Sequence, residues 1–365
     1  MQKTDIYNPS KEFKYLINVA KYFISNDSIT KPTIGALNQE VLADLIRVHK
    51  MQAVMSSCIP PIESPLSIKE KRKLISLTHW QKKRKFLLMA SLIGILQAHA
   101  KEQITVVPYK GLTIGTQFYE SVFHRDFNDI DFAIQRKDLK QSAVIMQALG
   151  YEEYRGPSNY TNLEKSRSYH IDYSWVKRDV HGKIIVNAEM HWQPANSALY
   201  TPCSFDSFVD KRTTISLLSK DVTAFKPVYN ALYMVIHHGL VDGWMCLRHL
   251  VDFALALRKL SREEQDELLV LVVTNKIRRC FFIGLYIAES LFDCHLLKIG
   301  VEKKSKIRSK NIFLKAFLKS NLVGKWSDNK SRLYYYLLMR DSLGDGLRSG
   351  LQFSRFAIKD YTWSK

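Results

Sequence analysis

Apolar residues recur at three- and four-residue spacing in YLINVAKYFI, in LNQEVLADLIRVHKMQAVM and from about Ser67 to His99, which predicts an all-helical first third. CIPPIESP, with Pro60, Pro61 and Pro65, separates the second of these segments from the third. At ITVVPYKG the period changes. Ile104 to Val107 read as a short strand, Leu112 to Glu120 as a helix, DIDFAIQ as a strand, and Lys137 to Leu149 as a helix closed by Gly150. SYHIDYSWV and KIIVNAEMHW alternate around KRDVHG, where Asp179 to Gly182 supply turn chemistry, so they predict a hairpin. From about Phe205 the pattern is helical again, through VYNALYMVIHHGL, WMCLRHLVDFALAL, a segment opened by a Ser261/Glu264 capping box, and RRCFFIGLYIAESLF. The expected fold is α+β, with a small mixed-sheet core at 104–200 flanked by helical regions at 1–103 and 201–365.

Composition narrows the partners. Lys and Arg outnumber Asp and Glu by 54 to 35, and the resulting charge of +19 favours phosphates, nucleotides, RNA or an anionic membrane surface without choosing among them. KEKRK and HWQKKRK read either as a phosphate-facing patch or, more commonly, as a solvated helix face. The stretch from VEKKSKIRSK onward, with Tyr334, Tyr335, Tyr336 and Trp363, reads as helices with a basic surface. Five scattered cysteines without a CxxC argue against a disulfide framework or a zinc site and fit a reducing cytoplasm. The most lipid-like run, Phe86 to Leu96, is shorter than the roughly 20 residues of a membrane span, and MQKTDIYNPSKEF lacks the apolar core of a secretory signal. A soluble, cytoplasmic protein with no membrane span is therefore expected.

The candidate chemistry lies in the middle third. Asp129 and Asp131 are two apart on an apolar strand, so both carboxylates face one side while Ile130 and Phe132 face the other. Such a pair repels itself unless a cation intervenes, and Mg²⁺ (or Mn²⁺) prefers one or two carboxylates plus waters and substrate phosphates. Glu189, on the later strand VNAEMHW, completes a three-acid cluster if the two strands are neighbours; otherwise it is an exposed strand-end glutamate. His191 shares its face and reads as a core or orienting histidine rather than a metal ligand.

Lys110-Gly111, Arg125 before the DID at 129–131, Gly150-Tyr151 and EMHW at 189–192 together resemble the uncharacterised bacterial nucleotidyltransferase family of the DNA polymerase β-like nucleotidyltransferase superfamily. The resemblance spans about Val106 to Gln193, with weaker support from Trp244, Arg248 and Asp252. It implies transfer of a nucleoside monophosphate from an NTP such as ATP to a hydroxyl-bearing acceptor (a small molecule, a protein or an RNA end), with pyrophosphate leaving. Asp129, Asp131 and Glu189 would then hold the Mg²⁺ ions. Gly111 would let the backbone approach the phosphates, and Lys110 and Arg125 would neutralise them, although both also read as ordinary ion partners. The superfamily's usual Gly-Gly or Gly-Ser is Lys110-Gly111 here, and Thr113 offers a hydroxyl in compensation.

Elsewhere the signals are structural. His237-His238 reads as one core and one surface residue, with no helical partner expected to complete a zinc site. Arg248 and Asp252 read as an i,i+4 ion pair. GxGxxG, P-loop, GxSxG and HExxH motifs are missing from the sequence, which leaves dehydrogenase, P-loop kinase, serine hydrolase and zincin readings without support. The alternative to an enzyme is a non-catalytic basic nucleotide- or RNA-binding protein on the same fold.

Overall fold

The computed structural model describes residues 9–25, 37–58, 66–155, 172–195, 202–208, 210–298, 337, 339–342 and 344–351. The three prolines after Cys58, the first residues of the predicted hairpin and the basic aromatic stretch around Tyr334 to Tyr336 and Trp363 lie outside them.

The helical first third comprises α1 (Lys11–Ser25), α2 (Gln39–Val48), α3 (Gln52–Cys58) and α4 (Ile68–Lys101). LNQEVLADLIRVHKMQAVM, expected as one helix, is two, because Lys50 adopts a left-handed φ of 53° between α2 and α3. Asn38 and Ser67 cap α2 and α4, each side-chain oxygen accepting from backbone amides of the first turn. Next come β1 (Val106–Pro108), α5 (Gly111–Phe118), β2 (Ile130–Ile134), α6 (Leu139–Ala148), β3 (Glu152–Arg155), β4 (Asp172–Arg178) and β5 (Ile184–His191). The sheet order is β1-β2-β5-β4-β3, with β2 and β5 parallel and the other pairs antiparallel. The β4–β5 hairpin closes as expected: Gly182 takes φ 77° and Asp179 Oδ1 accepts from the amides of His181 and Lys183.

Beyond residue 205 the chain is not purely helical. After the short α7 (Phe205–Phe208), β6 (Arg212–Leu217) and β7 (Lys220–Phe225) form a hairpin that the helical expectation missed. Its two-residue turn places Leu218 and Ser219 at φ 49° and 59°, conformations that normally advertise themselves as Asn-Gly. The helices then resume: α8 (Pro227–Met234), a π-helical stretch at Val235–Val241, α9 (Leu247–Lys259), α10 (Arg262–Thr274) and α11 (Arg278–Phe292). Ser261 and Glu264 form the expected capping box on α10.

Two hydrophobic cores cut across this chain order. Phe13, Leu45 and Met55 of the first helices share one core with Leu232, Leu250 and Phe281 of the last. Leu88, Leu92 and Ile95 of α4 instead join Ile130, Phe132 and Met190 of the sheet, together with Ile215 and Val222 of the second hairpin. Phe86 to Leu96 is thus the sheet-covering part of a long helix, and no helix among the described residues is long and apolar enough to cross a membrane.

Candidate active site

The register of the one parallel pair builds the site. Asp131 on β2 lies directly opposite Glu189 on β5, and laterally paired residues project to the same face of a sheet, so two carboxylates stand side by side. His191, two residues beyond Glu189, shares that face. Its Nε2 is 3.1 Å from Asp131 Oδ1 and 3.4 Å from Glu189 Oε2. The outward face of β2 is acidic because its inward face, Ile130 and Phe132, is committed to the core.

Asp129 precedes β2 and is half-buried; its carboxylate carries no hydrogen bond or ion pair among the described residues. Its loop is held from behind. Lys85 Nζ donates to the Phe123 carbonyl at 3.1 Å and lies 4.0 Å from Asp126, while Arg84 donates to the Asn128 carbonyl at 3.1 Å. The basic run HWQKKRK therefore divides: Lys82 and Lys83 are exposed, whereas Arg84 and Lys85 turn inward to support the acid-bearing loop.

Lys110 is the chain's own counter-ion to the acids, its Nζ 3.1 Å from Asp131 Oδ1. It caps α5 at φ 57° and ψ −133°, a conformation that favours glycine. Lys110 thus combines a glycine-favouring backbone shape with a cationic side chain, at a cost of about 1–3 kcal/mol. Gly111 follows for a steric reason: a Cβ there would come within 3.2 Å of Phe127 Cβ.

These contacts set the protonation states. Burial opposes ionisation of Asp131, but Lys110 and His191 outweigh it and hold the carboxyl below its usual range. The His191 hydrogen bond likewise lowers Glu189. Burial and the Lys110 charge work against protonation of His191, yet the two carboxylates raise its pKa above the ordinary imidazole value. Asp129 goes the other way: burial, then repulsion by Asp131 and Glu189, pushes it up to about 6. The cluster is short of positive charge at Asp129.

Asp129, Asp131, Glu189, Lys110, Gly111 and Arg125 all line one open cavity of ≈ 490 Å³. A second cavity, of ≈ 440 Å³ between α4 and the β6–β7 hairpin, has none of the predicted residues among those that line it.

Two sequence assignments change. Thr113 is fully buried and its Oγ1 donates to the Lys110 carbonyl at 3.0 Å, so its hydroxyl braces the α5 turn instead of facing the cavity. Arg125 is 2% exposed; Nε and Nη2 pair with Asp252 at 2.9 and 2.8 Å, and Nη1 donates to the Gly111 carbonyl at 2.9 Å. Its charge is spent on joining α9 to the start of α5, which leaves it a positioning residue. Asp252 correspondingly does not form the expected pair with Arg248. It accepts from Tyr119 Oη at 2.6 Å and lies 3.1 Å from His238 Nε2, while Arg248 reaches the Asp126 carbonyl.

The far wall of the cavity comes from residues the sequence reading did not place there: Lys50, His237, His238, Asp242, Arg248 and His249. Against the expectation that no partner completes the histidine pair, Asp242 follows His238 by four residues and His237 by five. Its Oδ2 is 3.2 Å from His237 Nδ1. Burial lowers the pKa of both His237 and His249, the latter helped by the neighbouring His238. The spacing was visible in HHGLVD; the π-helical winding that makes i and i+5 neighbours was not.

A solved nucleotidyltransferase-like antigenic protein from Paracoccidioides brasiliensis is 13% identical, covers 57% of this chain and 94% of its own, and superposes with a TM-score of 0.32. Among curated proteins there is no match. Residues 35–293, well over half of the chain, match the family described as uncharacterised nucleotidyltransferase, and the chain belongs to that family.

Proposed function

We propose that this protein is a Mg²⁺- or Mn²⁺-dependent nucleotidyltransferase of DNA polymerase β-like type, moving a nucleoside monophosphate from an NTP to a hydroxyl-bearing acceptor with release of pyrophosphate. The observation that carries this reading is the in-register pairing of Asp131 with Glu189, with Asp129 at the mouth of the same strand. The donor set fits a hard divalent cation: three carboxylates line one cavity, and one of them, Asp129, has no positive partner of its own among the described residues. Such a cation, when bound, neutralises triphosphate charge and favours ionisation of an attacking hydroxyl.

The chain's own groups supply the rest. Asp129, Asp131 and Glu189 would hold the cation. Lys110 Nζ, 3.1 Å from Asp131 in the same cavity, would pair with substrate phosphate oxygens once the acids' charge is neutralised. Arg125, by donating to the Gly111 carbonyl at the cavity wall, holds the start of α5, the end of a helix that favours anionic oxygens. His191 Nε2–H orients Asp131 and Glu189 and keeps both ionised.

Calorimetric titration of the four NTPs, with and without Mg²⁺, tests this reading on the wild type and on an Asp129→Ala, Asp131→Ala double variant. Metal-dependent binding that disappears in the double variant, followed by pyrophosphate release with an acceptor, is expected; full turnover in the variant would overturn it. A second reading, non-catalytic binding of nucleotides or RNA, is favoured by the outer face of α4, where exposed Lys82 and Lys83 neighbour Trp80, itself 49% exposed with Arg84 5.5 Å from its ring. That reading requires steeply salt-dependent RNA affinity unchanged by removal of the acids.

A further inference from the structure

The same cavity holds a second set of convergent donors that the acid cluster does not use. One ligand atom each from His237, His238 and Asp242 lie within 4.8 Å of one another. From Asp242 Oδ2 the separations are 3.2 Å to His237 Nδ1, 3.9 Å to His238 Nδ1 and 3.7 Å to His249 Nε2. A tetrahedral ion with bonds of about 2.0–2.1 Å places its ligand atoms roughly 3.3 Å apart. The set is therefore spaced for a shared ion with small side-chain adjustments.

Three further features point to a ligand. His238 is almost wholly buried, yet its Nδ1, directed towards Asp242, has no hydrogen-bond partner among the described residues. Its other nitrogen, Nε2, is 3.1 Å from Asp252 Oδ2. A carboxylate that takes the remote N–H of an imidazole fixes the tautomer and frees the opposite lone pair, as metal-bound histidines require. Asp252 is anchored in turn by Arg125 and Tyr119, so the imidazole is aimed by a rigid buried network. His249 stacks on His238 with ring centroids 4.2 Å apart and planes 5° apart, which fixes the plane of the His238 imidazole. The π-helical stretch supplies the geometry by bringing His237 and Asp242, five residues apart, to one side.

We propose that His237, His238 and Asp242, with solvent as the fourth ligand, bind a first-row transition ion of the zinc type. The donor chemistry separates this site from the acid cluster: imidazole-rich sets suit Zn²⁺, whereas Mg²⁺ takes oxygen ligands and keeps its waters. The proposal does not depend on nucleotidyl transfer, since it needs only the three donors and their orientation.

Zn²⁺ titration of the chelator-stripped full chain and the visible spectrum of its Co²⁺ form provide the test. One equivalent of Zn²⁺ and intense Co²⁺ bands of low coordination number are expected in the wild type. Asp242→Ala and His237→Ala should each weaken Zn²⁺ binding by at least about tenfold and abolish those bands. The Asp129→Ala, Asp131→Ala double variant should keep them. No Zn²⁺ uptake by the wild type, bands that survive Asp242→Ala and His237→Ala, or bands lost with the acids would each overturn the proposal. Far-UV circular dichroism checks folding; should Asp242→Ala not fold, His237→Ala, at a partly exposed position, carries the variant arm beside the wild-type titration.

Discussion

One wall of the central cavity is built from strands and the other from helices, and they gather polar groups in different ways. On the strand wall, Asp131, Glu189 and His191 come together through the two-residue period of a strand and the register of one parallel pair. On the helical wall, His237, His238, Asp242 and His249 come together through a π-helical turn and the stacking of His249, on α9, against His238. Periodic structure concentrates charge where a core on the opposite face forces it outward. Irregular winding concentrates it where a local departure from 3.6 residues per turn makes new neighbours, and such departures are frequent at functional sites.

The Arg125–Asp252 pair joins the two walls, and it offers the strongest way to break the comparison. Both side chains are essentially inaccessible to solvent. Arg125→Ala leaves Asp252 buried with its main partner gone, so stability should drop by about 3–5 kcal/mol in urea unfolding. NTP affinity and Zn²⁺ affinity should fall together, because Arg125 holds Gly111 on one side and, through Asp252, His238 on the other. If only one falls, the walls are not coupled through this pair.

Asp131→Asn separates the walls. Loss of a ligand charge between Lys110 and His191 should reduce NTP turnover about 10²–10³-fold, several kcal/mol of transition-state stabilisation, with the Co²⁺ spectrum unchanged. Gly239→Ala addresses the helical wall alone. A Cβ there would sit 2.6 Å from Cys280 Sγ and 2.7 Å from the Trp244 ring, inside a packed core. Overpacking should cost about 1–3 kcal/mol by thermal unfolding and perturb the Co²⁺ bands more than metal-dependent NTP binding.

The smallest expected effect is a pH signature of the strand wall. Asp129 is pushed up to about 6 in the folded chain, above its ordinary 3.8. Between these values the folded state binds the proton more tightly than the unfolded one, so metal-free stability gains from Asp129 as pH falls from about 6 towards 4. Measured as the difference in Tm between wild type and Asp129→Asn, this gain should be about 2–4 °C, on the order of 1 kcal/mol. A difference that stays flat over that window would mean Asp129 has a counter-charge.

How much of this was written in the sequence differs from element to element. DIDFAIQ and VNAEMHW announced two strands, since alternation is a local property that each segment carries alone, but the strand begins at Ile130 and leaves Asp129, expected on it, in the preceding loop. The β4–β5 hairpin was legible because Asp179 and Gly182 mark its turn, while β6–β7 was not, because Leu218 and Ser219 adopt positive φ without the residues that usually signal it. Arg125 misled for a related reason: a guanidinium near an acidic motif reads as a phosphate clamp, and the partner that consumes it, Asp252, is 127 residues away.

By itself, then, the sequence determined the strand faces, the helix caps and the presence of an acid cluster, all of which depend on residues within a few positions of one another. Tertiary structure alone decided that Glu189 lies opposite Asp131, that Lys110 rather than Arg125 is the cation beside the acids, and that four polar side chains from the C-terminal helices close the cavity. Those outcomes turn on which distant groups are available when a charge must be buried. Desolvation makes every such pairing nearly obligatory, but the sequence does not say which partner will be within reach.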